Sequence, residues 1–236
     1  MTTPPPGLAT TLLEIYQALD AMHAWRGWHW WPDADPFEVA VGSILVQNTA
    51  WTNVERALDR LRARGLLHPV AMSRLSHEEL QELVRPSGQY RQKARKLRAF
   101  LDLVERHGGL DALLALPPAR LREQLLATWG IGPETADAIV VYSARAPAFV
   151  IDAYTQRIFT RLALGPAGST SYAGWQRFFV GLLPVDRDLW ARYHALIVMH
   201  AKHLCLKRAP RCDSCLLRPR CPAAAPNPAP PASNAT

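Results

Sequence analysis

The stretch Leu121–Ala144, "LREQLLATWGIGPETADAIVVYSA", decides the fold. It reads as helix, G-x-G turn, helix, with Pro133 in the first turn of the second helix. Gly130 and Gly132 flank Ile131, and glycines let a backbone approach a ligand closely. The amides at the second helix's start point outward, which suits a phosphate. A purely structural αα-hairpin has the same pattern. The charged residue at the exit is an acid, Glu134, where a phosphate clamp would favour a base.

Outward from that hairpin, every patterned segment reads as helix. Leu13–Trp25 has apolar residues at helical spacing. "PFEVAVGSILVQNTAWTNVERALDRLRARG" is helical on both sides of a break near Asn48–Thr49, with Gly65 as its stop. Ser76 and Glu79 make a capping box for "SHEELQELV". "VRPSGQY" is a turn, "RQKARKLRAFLDLVERHGG" an amphipathic helix, and Pro117–Pro118 separate two short helices. Further helices are expected over Ala153–Leu164, Tyr172–Leu183 and Arg187–Leu204. No alternating strand pattern occurs, so the chain is expected to be all-α, and "PAAAPNPAPPASNAT" after Cys221 reads as a disordered tail.

The chain has 236 residues, 49% of them hydrophobic, enough for one large domain or two small ones with a real core. No run of about 18 apolar residues exists, which excludes a membrane span. "MTTPPPGLATTL" lacks a basic region followed by an apolar core, so a cytoplasmic location is expected, and for a bacterial protein that means the nucleoid. The net charge of +7 favours a polyanionic partner, although a merely soluble basic surface gives the same balance. Lysine occurs only at Lys93, Lys96, Lys202 and Lys207.

Three further features carry chemistry. Cys205, Cys212, Cys215 and Cys221 fall in one segment with spacing C-x6-C-x2-C-x5-C, a ligand set for zinc or an iron–sulfur cluster. Asp152 starts a helix after an apolar run, twenty residues beyond Gly132. An aspartate there is a plain N-cap in many proteins, and equally a carboxylate that can stabilise a developing cation. "WHWWP" (Trp28–Pro32) and Trp51 hold four of the eight tryptophans. They fill a core or offer stacking faces for an extruded base.

Taken together, the G-I-G turn, Asp152, "ILVQNT" (Ile44–Thr49), "SGQYRQKA" (Ser87–Ala94) and the cysteine set occur in the order found in the helix-hairpin-helix, Gly-Pro, Asp (HhH-GPD) superfamily of DNA glycosylases. The chain resembles that superfamily, and its endonuclease III family in particular, from about Trp30 to Cys221. The pattern "WWP…QNT…RPSG-x-Y-x-QKA…GIG-x-E-(S/T)-ADAI" most closely resembles the 3-methyladenine glycosylase branch. The cysteine loop resembles that of endonuclease III, so features of two branches are mixed.

The resemblance implies two α-helical domains with DNA in the cleft: a helical barrel with the hairpin over 28–145, and an iron–sulfur domain over 1–27 plus 146–221, with 222–236 as tail. It implies a monomer acting on double-stranded DNA that contains a damaged base, with no membrane partner. It implies a [4Fe-4S] cluster on Cys205, Cys212, Cys215 and Cys221, pinning the basic loop "LKRAPR" (Leu206–Arg211). Asp152 becomes the catalytic carboxylate. Glu134 stands where bifunctional members carry the lysine that forms a Schiff base, so lyase chemistry is expected to be missing. Glu134 either positions water or is a solvated helix acid. Trp30, Trp31, Pro32 and Trp51 become the base pocket. Gln47 and Gln89 match hole-filling and wedge positions, though each is also readable as a surface glutamine. Arg91, Lys93, Lys202, Lys207, Arg208 and the Gly130-Ile131-Gly132 amides become DNA contacts.

The expected activity is therefore monofunctional excision of alkylated bases. Excision of oxidised pyrimidines with weak or no lyase activity is the second expectation. A non-catalytic DNA-binding iron–sulfur protein, or a zinc-stabilised structural module, would come from a different class.

Overall fold

The structure is a computed structural model, described here for residues 7–23 and 35–224. In chain order its helices are α1 (Leu8–His23), α2 (Pro36–Leu45), α3 (Trp51–Arg62), α4 (Pro69–Ser73), α5 (His77–Val84), α6 (Tyr90–Arg106), α7 (Leu110–Leu114), α8 (Pro118–Leu126), α9 (Pro133–Ala138), α10 (Ala153–Arg161), α11 (Tyr172–Val180) and α12 (Arg187–His203). Short 3-10 turns cover Arg85–Ser87, Cys212–Ser214 and Arg218–Arg220. Among the described residues there is no strand, as the sequence pattern requires. No described helix is long and apolar enough to cross a membrane.

The chain divides into two compact units. One takes the described residues within Met1–Trp28 and Arg192–Thr236, together with Ile151–Val185. The other takes those within His29–Val150, with Asp186–Ala191.

In the second unit α2 is the central helix. Phe37 and every residue from Val39 to Leu45 are buried, so it is apolar all round rather than striped. Asp35 caps it, accepting from the N–H groups of Phe37 (2.8 Å) and Glu38 (3.2 Å). Around it α3 buries Val54, Ala57, Leu58 and Leu61, at i, i+3, i+4 and i+7. The Ser76–Glu79 capping box forms in both directions at α5. The predicted pair of short helices is α7 and α8, with Pro118 opening the second rather than breaking it. α4 was not expected; its five residues give too short a window for periodicity. The helix after the glycine turn runs on from α9 as a π-helical turn, Ile139–Ser143, closed by the Ala144 N–H on the Ile139 carbonyl at 3.0 Å.

In the first unit α1 begins at Leu8, five residues before the expected Leu13, with Thr11 bonded to the Gly7 carbonyl through both its N–H and its hydroxyl. It buries Leu12, Ile15 and Leu19, each contributing about 1.5–3 kcal/mol. Arg220 to Glu14 (2.9 Å) and the Leu216 N–H to Met22 Sδ (3.2 Å) bring the cysteine loop to α1. Of the expected tail over 222–236, residues 222–224 are described and the rest lies outside the described residues. The Ala223 N–H reaches the Arg161 carbonyl (3.4 Å) and the Ala224 N–H that of Cys221 (3.0 Å), because these small residues pack beside the cysteines.

Candidate active site and cysteine loop

The hairpin is α8, the turn Gly130-Ile131-Gly132, and α9. Gly130 has φ +81°, where an L side chain is strained, and a methyl group there would run into the Lys96 side chain. Ile131 is buried, and its N–H closes the turn on the Thr128 carbonyl at 3.1 Å. Gly132 is the extended N-cap of α9, with open space where a side chain would stand. The two helices are clamped by Arg122, which meets the fully buried Asp137 carboxylate at 2.6 and 3.2 Å. Glu134, one residue after Pro133, is exposed in the first turn of α9.

Gln47 is built into this turn. Its Nε2 donates to the Gly130 carbonyl (3.3 Å) and to Thr135 Oγ1 (3.1 Å), while its Oε1 accepts from Lys96 Nζ. It is a half-buried brace of the hairpin, not an ordinary surface glutamine. Gln89 differs. It is exposed, in left-handed backbone at φ +45°, at the mouth of α6.

Lys93 must be corrected as a phosphate contact. It is 1% exposed, and its Nζ donates to the Ser87 carbonyl. Burial, then Lys96 beside it, pulls its pKa down to about 8. The expectation rested on its charge, and lysine seldom turns inward. In the fold it holds the backbone of the loop that presents Gln89. Arg91 is exposed, with its guanidinium 5.7 Å from the centre of the Tyr90 ring. Lys202, Lys207 and Arg208 are exposed.

Of the aromatic residues singled out, Trp30, Trp31 and Pro32 lie outside the described residues. Trp51 opens α3, donates from Nε1 to Glu55 at 2.9 Å, and is partly buried against the barrel core.

Asp152 is the N-cap of α10, and its residue exposure is only 8%. Its Oδ1 accepts from the Thr155 N–H (2.7 Å) and hydroxyl (2.8 Å). Its Oδ2 lies 3.6 Å from His194 Nε2. Burial pushes the carboxyl's pKa up, but His194 and the Thr155 donors outweigh that and hold it below the ordinary value. Asp152 is thus an N-cap whose buried carboxylate is kept ionised by His194 and by the cap donors of Thr155. His194 was missed from sequence. It sits mid-helix in α12, 42 residues from Asp152, with no local signal attached to it.

The four cysteines line one cavity, with Ile158 and Leu217 among its other walls. All four are free and half-buried. Arg161 binds Cys205 Sγ through Nη1 (3.1 Å) and also the carbonyls of Leu206 (2.8 Å) and Lys207 (3.0 Å). His200 Nε2 lies 3.7 Å from Cys215 Sγ, and its Nδ1 lies 3.0 Å from His23 Nε2. Burial, then His23 and Arg157, lowers the His200 pKa to about 4, so the ring is neutral. Among the described residues, no three His, Cys, Asp or Glu groups converge as a single-ion site.

Residues 41–173 match the model of the HhH-GPD superfamily base excision DNA repair protein. The chain is 39% identical over 196 residues to the Methanocaldococcus jannaschii protein named "Putative DNA repair glycosylase MJ1434", covering 82% of this chain and 88% of that one. It is 30% identical over 192 residues to the endonuclease III of Thermotoga maritima, covering 80% and 84%. Among solved structures it is similar to Helicobacter pylori 3-methyladenine DNA glycosylase (MagIII) bound to 1,N6-ethenoadenine. There the TM-score is 0.72 at 27% identity, over 81% of this chain and 97% of that one.

Proposed function

The chain belongs to the HhH-GPD superfamily of base excision DNA repair proteins, and from that premise we propose that it excises alkylated purines without cutting the strand. It is a DNA N-glycosylase of the endonuclease III type, and DNA is the partner this reading gives it. The observation that carries the finer reading is the pair of acids. Asp152 is buried and ionised, and the motif resemblance sets Glu134 where bifunctional members of the superfamily carry the lyase lysine.

Base loss passes through a sugar with oxocarbenium character, and a nearby fixed carboxylate stabilises that charge. Asp152 supplies it, already oriented by Thr155 and His194. A carboxylate at 134 cannot form the imine on which strand cleavage depends. N-alkylated purines carry positive charge and leave readily, so the site needs no strong acid. An indole face attracts a cationic base by about 0.5–2 kcal/mol, and tryptophans flank the "VQNT" segment. The likeness to a 3-methyladenine glycosylase supports this substrate class. Extrusion costs a few kcal/mol, and the exposed Gln89 is the residue offered as wedge.

The 30% identity to an endonuclease III and the cysteine loop favour a second reading, excision of oxidised pyrimidines. A panel of duplexes, each with one lesion, tests both. Hot alkali converts every abasic site to a break, so breaks that need alkali report excision alone. Breaks without alkali, or release of an oxidised pyrimidine only, overturn the first reading.

The cysteine loop fits a [4Fe-4S] cluster. In a cubane each thiolate binds its own iron, and four thiols around one cavity suit that arrangement. Cys205, Cys212, Cys215 and Cys221 would hold it, with the Arg161 guanidinium offsetting thiolate charge at Cys205. When bound, the cluster supplies a covalent lock for the loop from Leu206 to Arg211. Anaerobically prepared protein should be yellow-brown and contain iron, and Cys212→Ser should lose the colour. Zinc without iron would end this assignment.

A further inference from the structure

The Asp152 carboxylate has one satisfied oxygen and one directed oxygen. Oδ1 takes two hydrogen bonds from Thr155, within its own helix cap. Oδ2 is met from another helix by His194 Nε2, with the two side chains only 8% and 11% exposed. α12 is held firmly on both sides of His194. The neighbouring Tyr193 is fully buried and donates to the Leu12 carbonyl at 2.8 Å. Further along, Arg157 of α10 donates to the carbonyls of Ala201 (3.1 Å) and Cys205 (2.9 Å), fixing α10 against the end of α12.

We propose that His194 is the positioning residue of Asp152, holding Oδ2 and so setting the plane of the carboxylate that faces the reacting sugar. At 3.6 Å the contact is longer than an ordinary hydrogen bond and leaves the Oδ2 lone pairs available. Thr155 alone fixes one oxygen and leaves the carboxylate free to swing about it. A second contact from a different helix removes that freedom. His194 moves no proton in this scheme, and Asp152 stays ionised throughout.

The inference rests on Asp152 carrying excision, and the test separates the two. Single-turnover excision and DNA affinity are measured for the full chain with Asp152→Asn, His194→Leu and His194→Gln, using a duplex that the unmodified protein processes. His194→Leu should excise about 10- to 100-fold more slowly with affinity changed by less than about twofold, since misplacing a reacting group costs rate rather than binding. His194→Gln, whose amide N–H can reach Oδ2, should recover most of the rate. Normal excision by His194→Leu, with Asp152→Asn inactive, overturns the role of His194. Normal excision by Asp152→Asn overturns the reading of Asp152 instead. In that case, and equally if His194→Leu fails to fold, the imidazole ¹⁵N resonances of the DNA-free protein decide. A His194 Nε2 signal that moves on Asp152→Asn supports the pairing, and one that does not move refutes it.

Discussion

Asp152 and Glu134 are acids at the starts of two helices, and their surroundings are opposite. Asp152 is the cap of α10, buried, held by Thr155 on one oxygen and met by His194 on the other. Glu134 lies one residue inside α9 and is exposed to solvent. Both gain from the partial positive charge of a helix N-terminus, worth about 0.3–1 kcal/mol at an exposed site. That shared gain does not distinguish them. What does is desolvation, because an ionised group in a dry, preorganised site acts on a neighbouring charge far more strongly than the same group in water. The same contrast separates Lys93, sealed under the Gln89 loop, from Lys202 and Lys207 on the surface.

The contrast is broken most directly at Asp152. Asn is as good an N-cap as Asp, so Asp152→Asn should leave melting and DNA affinity close to normal. Excision should fall by about 10²–10³, the scale for losing one preorganised electrostatic group. Single-turnover rates measured beside a thermal melt check it, and a fall in stability matching the fall in rate would make Asp152 a cap and nothing more. Glu134 should behave otherwise. Borohydride should trap no covalent adduct with the unmodified protein, and Glu134→Gln should cost less than about tenfold in rate, as expected for an exposed charge in high dielectric. Efficient trapping, or a loss equal to that at Asp152, would erase the distinction between the two acids.

These differences were unevenly legible in the sequence. Helix starts were readable because a cap is local: Ser76 with Glu79, Pro133 after Gly132, and Asp152 with its helix are decided within four residues. The glycine turn was readable for the same reason, since the left-handed backbone at Gly130 tolerates little else. The π-helical turn at Ile139–Ser143 left no trace, because its apolar residues satisfy an α pattern equally well. His194 was invisible because its meaning depends on α12 lying against the start of α10. Lys93 was misread because its charge alone does not show that the turn before α6 brings the Ser87 carbonyl, six residues back, to receive it. Gln47 was recognised by motif, yet its bracing of Gly130 and Thr135, 83 and 88 residues away, exists only in three dimensions.

The smallest effects on DNA come from the lysines, where the contrast between buried and exposed charge can be sharpened. Replacing Lys202, Lys207 or Arg208 by Ala should each make the slope of log K against log salt shallower by about 0.9 if each neutralises one phosphate. Lys93→Met should leave that slope unchanged, because its ammonium is spent on the Ser87 carbonyl. Its effect should appear in stability against pH. In the folded chain Lys93 loses its proton at about 8, pulled down by burial and then by Lys96, against 10.5 for an ordinary lysine. Between those values the unfolded chain binds a proton that the folded chain has shed, so folding stability rises with pH across that window. Below about 8 the charge is carried in both states, and its burial is a standing cost. Denaturant unfolding from pH 7 to 10.5 should therefore show a steeper rise for the unmodified protein than for Lys93→Met, other groups cancelling in the difference. Parallel curves would mean that Lys93 keeps an ordinary pKa despite its burial, and a shallower salt slope for Lys93→Met would return it to the phosphate contacts.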